Sequence, residues 1–180
     1  QNQNATFDNN ITSPDNGAMT FSWDFNSALT NVPTVIDSTT QSSSPDGFHN
    51  YSTAGTFNVV VVADQNGCKD TTFTSIIVHP TPVADFTATS VCLNNTTTFT
   101  DNSSVALPDV INSYSWDFDS NGSIDQTGAS ANFVYPASGT INATLTVSSA
   151  SGCSDAVTKP VNVFELPVAS FTHPDVCEGN

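Results

Sequence analysis

The chain has 180 residues, of which 17 are acidic, two are lysines and none is arginine, so its net charge is −15. Nucleic acids and anionic lipids are recognised through Lys and Arg. This charge therefore excludes a nucleic-acid-binding protein and disfavours docking on an anionic membrane surface. No apolar run approaches the ~20 residues of a membrane-spanning helix. The length suits one or two domains of about 100–150 residues each.

Apolar and polar residues alternate with a period of two along much of the chain, which is typical of half-buried strands. Residues 141–147 show this most plainly, because Ile, Ala, Leu and Val alternate there with Asn, Thr and Ser. The predicted strands lie, in chain order, at 5–7, around Trp23, at 57–62, 73–78, 83–87 and 96–100, around Trp116, and at 141–147, 157–164 and 168–172. Short strands separated by Gly, Pro, Asn and Asp turns predict an all-β fold, an antiparallel sandwich with no substantial helix.

The sequence also repeats itself. Landmarks recur in the same order 85 residues apart: Gly67-Cys68 with Gly152-Cys153, Pro82–Phe86 with Pro167–Phe171, and Val91-Cys92 with Val176-Cys177. A fixed interval of this kind predicts tandem domains. We assign residues 1–80 to a repeat that lacks its first strand, residues 81–165 to a complete repeat, and residues 166–180 to the first strand of a further repeat.

The missing first strand and the extra strand at the other end are complementary, which leaves two interpretations. In one, the 180 residues are an excerpt of a longer tandem array. In the other, the trailing strand of one chain completes the first sandwich of the next chain, as in donor-strand assembly. Either arrangement leaves an open sheet edge on an isolated chain, so we expect that chain to oligomerise or to be poorly stable.

An acidic stretch follows the strand around Trp116. Positions 1, 3, 5, 7 and 9 of a calcium-binding loop are filled in it by Asp117, Asp119, Asn121, Ser123 (through its carbonyl) and Asp125. Gly122 stands at position 6, where such loops turn sharply, but position 12 holds Gly128 instead of the usual Glu. The stretch therefore predicts a calcium site. The alternative is an Asx-type turn with exposed carboxylates.

The motifs around this stretch resemble the PKD domain, an immunoglobulin-like repeat common in secreted bacterial proteins. One motif is Trp116–Gly122, and the other is Tyr135 with Gly139-Thr140 and the alternating strand that follows. The resemblance covers nearly the whole chain. It fails at Asn26-Ser27-Ala28, where the family's Gly/Asp loop is missing and residues 31–47 are predicted as an elaborated surface loop instead. The resemblance implies tandem seven-stranded sandwiches, and the paired cysteines resemble those of arrays on bacterial surface and adhesin-type proteins.

Aromatic residues at alternate positions are predicted to form the cores. Trp116 and Phe118 share one face of their strand, and Trp23 and Phe25 do so in the first repeat. The immunoglobulin-like fold also places a tyrosine hydroxyl against the backbone at the start of a late strand. The tyrosines at that place are Tyr51 and Tyr135.

Four cysteines without C-x2-C spacing predict disulfides in an exported protein and disfavour a zinc site. In a sandwich of this type, a strand of about seven residues, roughly 23 Å long, separates Cys92 from Cys153, whereas bridged Cα atoms lie within about 7 Å. We therefore predict bonds between repeats, from Cys92 to a cysteine beyond residue 180 and from Cys153 to one before residue 1. In a polymer, Cys92 would pair with Cys68 of the next chain, and Cys177 with its Cys153.

No Ser-His-Asp arrangement, nucleophile elbow or phosphate-binding loop can be assembled, so an enzyme is not predicted. The scattered histidines, expected to be exposed, are His49 in a loop, His79 and His173. We predict a non-catalytic, extracellular structural or adhesive segment of a bacterial surface fibre, stalk or filament, stiffened by disulfides and calcium. The alternative is an accessory binding or spacer module of a secreted hydrolase. The expected partners are neighbouring repeats or copies of the same chain, without nucleic acid or a membrane span.

Overall fold

The computed structural model of the chain describes residues 4–7, 11, 13, 18–25, 38–42, 47–173, 175 and 178. These residues form strands, turns and bends without any helix, so the predicted all-β class is confirmed. None of them belongs to a helix long and apolar enough to cross a membrane. The chain divides into two compact units, Gln1–Thr81 (unit 1) and Pro82–Asn180 (unit 2).

The described part of unit 1 contains β1 (Asn4–Phe7), β2 (Thr20–Asp24), β3 (Ser38–Ser42), β4 (Gly47–Asn50), β5 (Gly55–Gln65) and β6 (Cys68–Val78). Strands β1 and β4 pair with each other, and the remaining four form a sheet in the order β3-β2-β5-β6. Trp23 on β2 lies opposite Val61 on β5. The buried core takes alternate side chains from these two strands, with Phe25 just beyond β2.

Asn66-Gly67 joins β5 and β6 in a hairpin whose two strands have 11 residues each. Both residues have positive φ, 54° and 87°. Two-residue hairpin turns need this conformation, and Asn-Gly adopts it most readily. Gln65 pairs directly with Cys68, and the Asp64 carboxylate accepts a hydrogen bond of 2.9 Å from the Gly67 N–H. The turn therefore sets the register of the whole hairpin.

Unit 2 contains β7 (Phe86–Ala88), β8 (Val91–Cys92), β9 (Thr96–Asp101), β10 (Ile111–Asp117), β11 (Gln126–Thr127), β12 (Ser130–Val134), β13 (Gly139–Ser149) and β14 (Ser154–Phe164). One sheet has the order β11-β10-β13-β14-β8 and the other the order β12-β9-β7. Phe86 and Phe99 of the smaller sheet pack against Trp116 of the larger one, with ring centroids 5.3 and 5.4 Å apart. The core therefore lies between two facing sheets, as in a sandwich.

The predicted core aromatics are buried in both units: Trp116, Phe118, Trp23 and Phe25. The predicted role of the tyrosines is also confirmed. Tyr135 donates its hydroxyl hydrogen to the Phe118 carbonyl oxygen at 2.9 Å, and Tyr51 donates to the Phe25 carbonyl oxygen at 3.0 Å. Each hydroxyl thus satisfies a backbone acceptor beside the core.

Three local predictions are wrong. Residues 168–172 form no strand and are exposed, because a strand needs the backbone groups of a partner and none of the described residues supplies them. His49 lies in β4 and stacks on Phe25 with centroids 4.8 Å apart, whereas His79 and His173 are exposed as expected. The predicted surface loop 31–47 contains β3, and its remaining residues apart from Gly47 lie outside the described part.

Candidate functional site

The candidate site is the loop that joins β10 to β11. Asp117 ends β10, and Asp119 and Asp125 follow in the loop. One carboxylate oxygen from each residue can be chosen so that all three lie within 4.8 Å of one another. The chain therefore brings together three of the five residues predicted for the calcium site.

The core fixes the position of this loop. The Asp125 N–H donates to the Trp116 carbonyl oxygen at 2.8 Å, and the Asp125 carboxylate accepts from the Phe118 N–H at 2.7 Å. Trp116 and Phe118 are both fully buried. Asp125 thus closes the base of the loop against two residues that cannot move without disturbing the sandwich.

The other predicted residues shape the inside of the loop. The Asp117 carboxylate accepts from the N–H groups of Gly122 at 2.8 Å and Asn121 at 3.2 Å. The Asn121 side-chain oxygen accepts from the Ser123 N–H at 2.8 Å. These are the hydrogen bonds of Asx-type turns, so the alternative interpretation of the sequence is realised in the backbone. The same carboxylate oxygens retain further lone pairs for a cation.

Gly122 permits the sharp turn at the centre of the loop, because its φ is 89°. A residue with a side chain adopts this conformation only at a cost. The turn brings the chain back toward Asp117, which ends β10.

The loop is negatively charged near neutral pH, and a neighbouring tyrosine responds to that charge. Partial burial opposes ionisation of Asp117, but the N–H donors of Gly122 and Asn121 outweigh it and lower the pKa of this carboxyl. Burial, and then the charges of Asp119 and Asp125, raise the pKa of Tyr135 to about 12. The negative potential of the loop, which a bound cation would experience, therefore extends to Tyr135 in the core.

The corresponding stretch of unit 1, Asn26-Ser27-Ala28, lies outside the described residues. The described candidate site therefore belongs to unit 2.

The cysteines are placed as follows. Cys68, Cys92 and Cys153 are free thiols, and Cys177 lies outside the described residues. Cys92 on β8 lies beside Phe164, the last residue of β14, whereas Cys153 directly precedes Ser154, the first. The 11 residues of β14 span roughly 33 Å at about 3.3 Å per residue. This separation far exceeds the about 7 Å that a disulfide bridges.

Two polar clusters escaped prediction from the sequence. Asp109 is buried and accepts hydrogen bonds from the Ser151 hydroxyl and, at 2.9 Å, from the Val110 N–H. The Ser151 contact is the main reason why the pKa of Asp109 falls to about 2, although burial opposes it. In the second cluster, the Lys159 ammonium contacts the Asp85 carboxylate. The partners lie 42 and 74 residues apart, so no local pattern marks them. The one indication of the second cluster in the sequence is that lysine is scarce, with only two in the chain.

Comparison with known proteins identifies one family. The family described as the PKD domain matches residues 79–164. No curated protein matches the chain. Among solved structures, the PKD1 domain of Vibrio anguillarum Epp is 24% identical, covering 49% of this chain and 100% of its own, with a TM-score of 0.44. The PKD1 domain of the Vibrio cholerae metalloprotease PrtV is 32% identical, covering 47% of this chain and 98% of its own, with a TM-score of 0.41. The fibronectin(III)-like modules of Clostridium thermocellum CbhA are 12% identical over 96% of this chain and 92% of theirs, with a TM-score of 0.46.

Proposed function

We propose that the chain is a non-catalytic structural or adhesive segment of a bacterial surface fibre, stalk or filament, and that residues 79–164, which match the PKD domain family, are one of its domains. The PKD domain is a non-catalytic module that occurs in extracellular bacterial proteins. A high negative charge suits such a segment, because it keeps neighbouring copies soluble and apart. Tandem copies of the domain would serve as spacers.

One observation carries the structural role: the acidic loop is fastened to the core strand. Asp125 is hydrogen-bonded to the backbone of Trp116 and of Phe118. An ion bound by the loop would therefore be lost whenever the sandwich opens. Its binding energy would add to the stability of the fold, as at a structural metal site.

Calcium is the proposed ion. Its ligands would be the carboxylates of Asp117, Asp119 and Asp125, the side-chain oxygen of Asn121 and the carbonyl oxygen of Ser123. Support comes from the convergence of the three carboxylates within 4.8 Å and from their spacing. Calcium accepts six to eight oxygen ligands in flexible geometry, and extracellular modules typically bind it with Kd of about 10⁻⁴–10⁻³ M.

Unfolding with and without calcium tests this function. At a calcium concentration about 100 times Kd, the unfolding free energy of the full chain should rise by about 2.7 kcal/mol. The double variant Asp119→Ala/Asp125→Ala should not respond. Glu165→Ala/Glu178→Ala removes the same charge from two exposed positions outside the loop and should respond like the unaltered chain. Equal responses from the loop variant and this control would contradict a site in the loop.

The cysteines are proposed to join neighbouring repeats or copies of the chain. Supporting this, β14 keeps Cys92 and Cys153 at opposite ends of unit 2. Bonds made at the two ends of a domain would transmit tension through it, as a fibre requires.

A further inference from the structure

The acidic loop of unit 2 has an Asn-Gly pair, Asn121-Gly122, at its centre. In such a pair the glycine nitrogen can attack the side-chain amide of the asparagine, because glycine carries no Cβ to shield its nitrogen. Both residues are exposed, and a Cβ placed on Gly122 would meet nothing within 4 Å. The Gly122 nitrogen is therefore accessible for this attack.

A hydrogen bond positions the Asn121 side chain for the reaction. Its side-chain oxygen accepts from the Ser123 N–H at 2.8 Å, so the side chain folds back across the Gly122 peptide that lies between the two partners. The same donor draws electron density from the amide carbon of Asn121. It would also stabilise the negative charge that develops on this oxygen during the attack, as the donors of an oxyanion hole do.

The proton on the Gly122 nitrogen already has an acceptor. The Gly122 N–H donates to the Asp117 carboxylate at 2.8 Å. Asp117 is the last residue of β10, which pairs with β13 and so fixes the position of this carboxylate. The loop therefore brings together the nitrogen that attacks, the carbonyl group that is attacked and the carboxylate that takes the proton.

A second pair, Asn66-Gly67 in unit 1, provides an internal comparison. Its Gly67 N–H also donates to a carboxylate, that of Asp64, at 2.9 Å. No group in the described part of the chain, however, donates to the Asn66 side-chain oxygen. The residues on either side of this turn pair directly with each other, so the backbone cannot close a new ring without opening the hairpin. In the acidic loop, residues 118–125 belong to no strand. A third pair, Asn16-Gly17, lies outside the described residues.

We infer that Asn121 is a modification site, at which the folded loop directs deamidation of its own side chain. The Gly122 nitrogen forms a bond to the side-chain amide carbon of Asn121. The proton of that nitrogen passes by way of Asp117 to the amide nitrogen, which leaves as ammonia. Water then opens the resulting cyclic imide. Breaking the new bond yields aspartate, and breaking the original backbone bond yields isoaspartate, so either product adds a negative charge to the loop.

The modification would change the candidate calcium site, because Asn121 is one of its proposed ligands. Aspartate would add a carboxylate to the three that already converge, whereas isoaspartate would lengthen the backbone of the loop. This consequence rests on the function proposed above. In calcium the conversion should slow, since the ion would occupy the Asn121 oxygen; an unchanged rate there would contradict the calcium site and not the deamidation.

Peptide mapping by mass spectrometry tests the deamidation in the chain of 180 residues, incubated near neutral pH with a chelator. Aspartate and isoaspartate are counted together at each site. In the folded chain Asn121 should convert about tenfold faster than Asn66 or more, because one oriented donor to a developing oxyanion changes rates by about 10²–10³ in enclosed enzyme sites and by less in an exposed loop. In concentrated guanidinium chloride the two rates should become equal, because neither pair then keeps its folded geometry.

Asp117→Asn and Asp64→Asn are matched variants, since each removes the carboxylate that accepts from the glycine N–H. Asp117→Asn should slow conversion at Asn121 by about tenfold or more and leave Asn66 unchanged, because it removes the proton acceptor. Asp64→Asn should leave Asn121 unchanged. The inference is overturned if Asn121 converts no faster than Asn66 in the folded chain, or if the ratio of the two rates is the same in the denaturant. An unchanged rate at Asn121 in Asp117→Asn would equally overturn it.

Discussion

The Tyr135 hydroxyl donates a 2.9 Å hydrogen bond to the carbonyl oxygen of Phe118. On its other side, the N–H of Phe118 donates to the Asp125 carboxylate at 2.7 Å. A single core residue is thus held by the tyrosine and by the acidic loop together. Loss of the Tyr135 hydrogen bond should therefore alter the position of the loop. An ion bound in the loop should in turn stabilise the core.

Tyr135→Phe should lower the unfolding free energy by about 1–3 kcal/mol, because it leaves the Phe118 carbonyl oxygen buried without its donor. It should also weaken calcium binding to the chain. Tyr51→Phe removes the equivalent hydrogen bond in unit 1 and is the matched control. Urea unfolding and calcium calorimetry of both variants provide the measurement. Equal effects on calcium affinity would show that Tyr135 does not position the loop.

Asp109 should make stability depend on pH in the acid range. Its pKa is lowered to about 2, mainly by the Ser151 hydroxyl. A lowered pKa contributes stability that is complete above the unfolded value of about 3.9 and is lost as the pH falls through about 2. The unfolding free energy should therefore decline more steeply between about pH 4 and pH 2 for the unaltered chain than for Asp109→Asn. Parallel declines would contradict this role of Asp109.

The two lysines should contribute unequally to stability. Lys159→Met keeps the apolar stem but removes the donor to the Phe86 carbonyl oxygen and the partner of Asp85, so it should cost about 1 kcal/mol after screening by solvent. Lys69 makes a surface pair with Asp64 at 3.6 Å, and Lys69→Met should stay within about 0.5 kcal/mol. Urea unfolding distinguishes them. A larger loss for Lys69→Met would be the contrary result.

Peptide mapping of oxidised protein without reduction tests the cysteine assignment. Disulfides should link Cys92 and Cys153 to cysteines of other repeats or other chains, because β14 holds the two thiols at opposite ends of unit 2. A peptide pair joining Cys92 to Cys153 within a monomer would refute it.

The sequence predicts whatever depends on local periodicity. Alternation of aromatic and polar residues identified Trp116 and Phe118 as core, and the carboxylate spacing anticipated the convergence at Asp117. Contacts that the sheet topology creates between distant parts of the chain could not be predicted from this periodicity. One example is the contact between Lys159 and Asp85, which are 74 residues apart. Periodicity also gives no information about partners.

The two Pro-Val-Ala-x-Phe segments show this limit most clearly. Phe86 lies in a strand that pairs with β9, whereas Phe171 lies in an unpaired, exposed segment. Almost the same sequence therefore takes two conformations, because only one copy meets a strand edge within the described residues.

Pulling single chains of these 180 residues from their ends, with calcium or with a chelator, tests the structural role most directly. A segment that carries tension and is stabilised through its acidic loop should show one of its unfolding events at higher force in calcium. Asp119→Ala/Asp125→Ala should abolish that increase, and Glu165→Ala/Glu178→Ala should preserve it. Unfolding forces that are the same in calcium and in chelator for the unaltered chain would contradict the account.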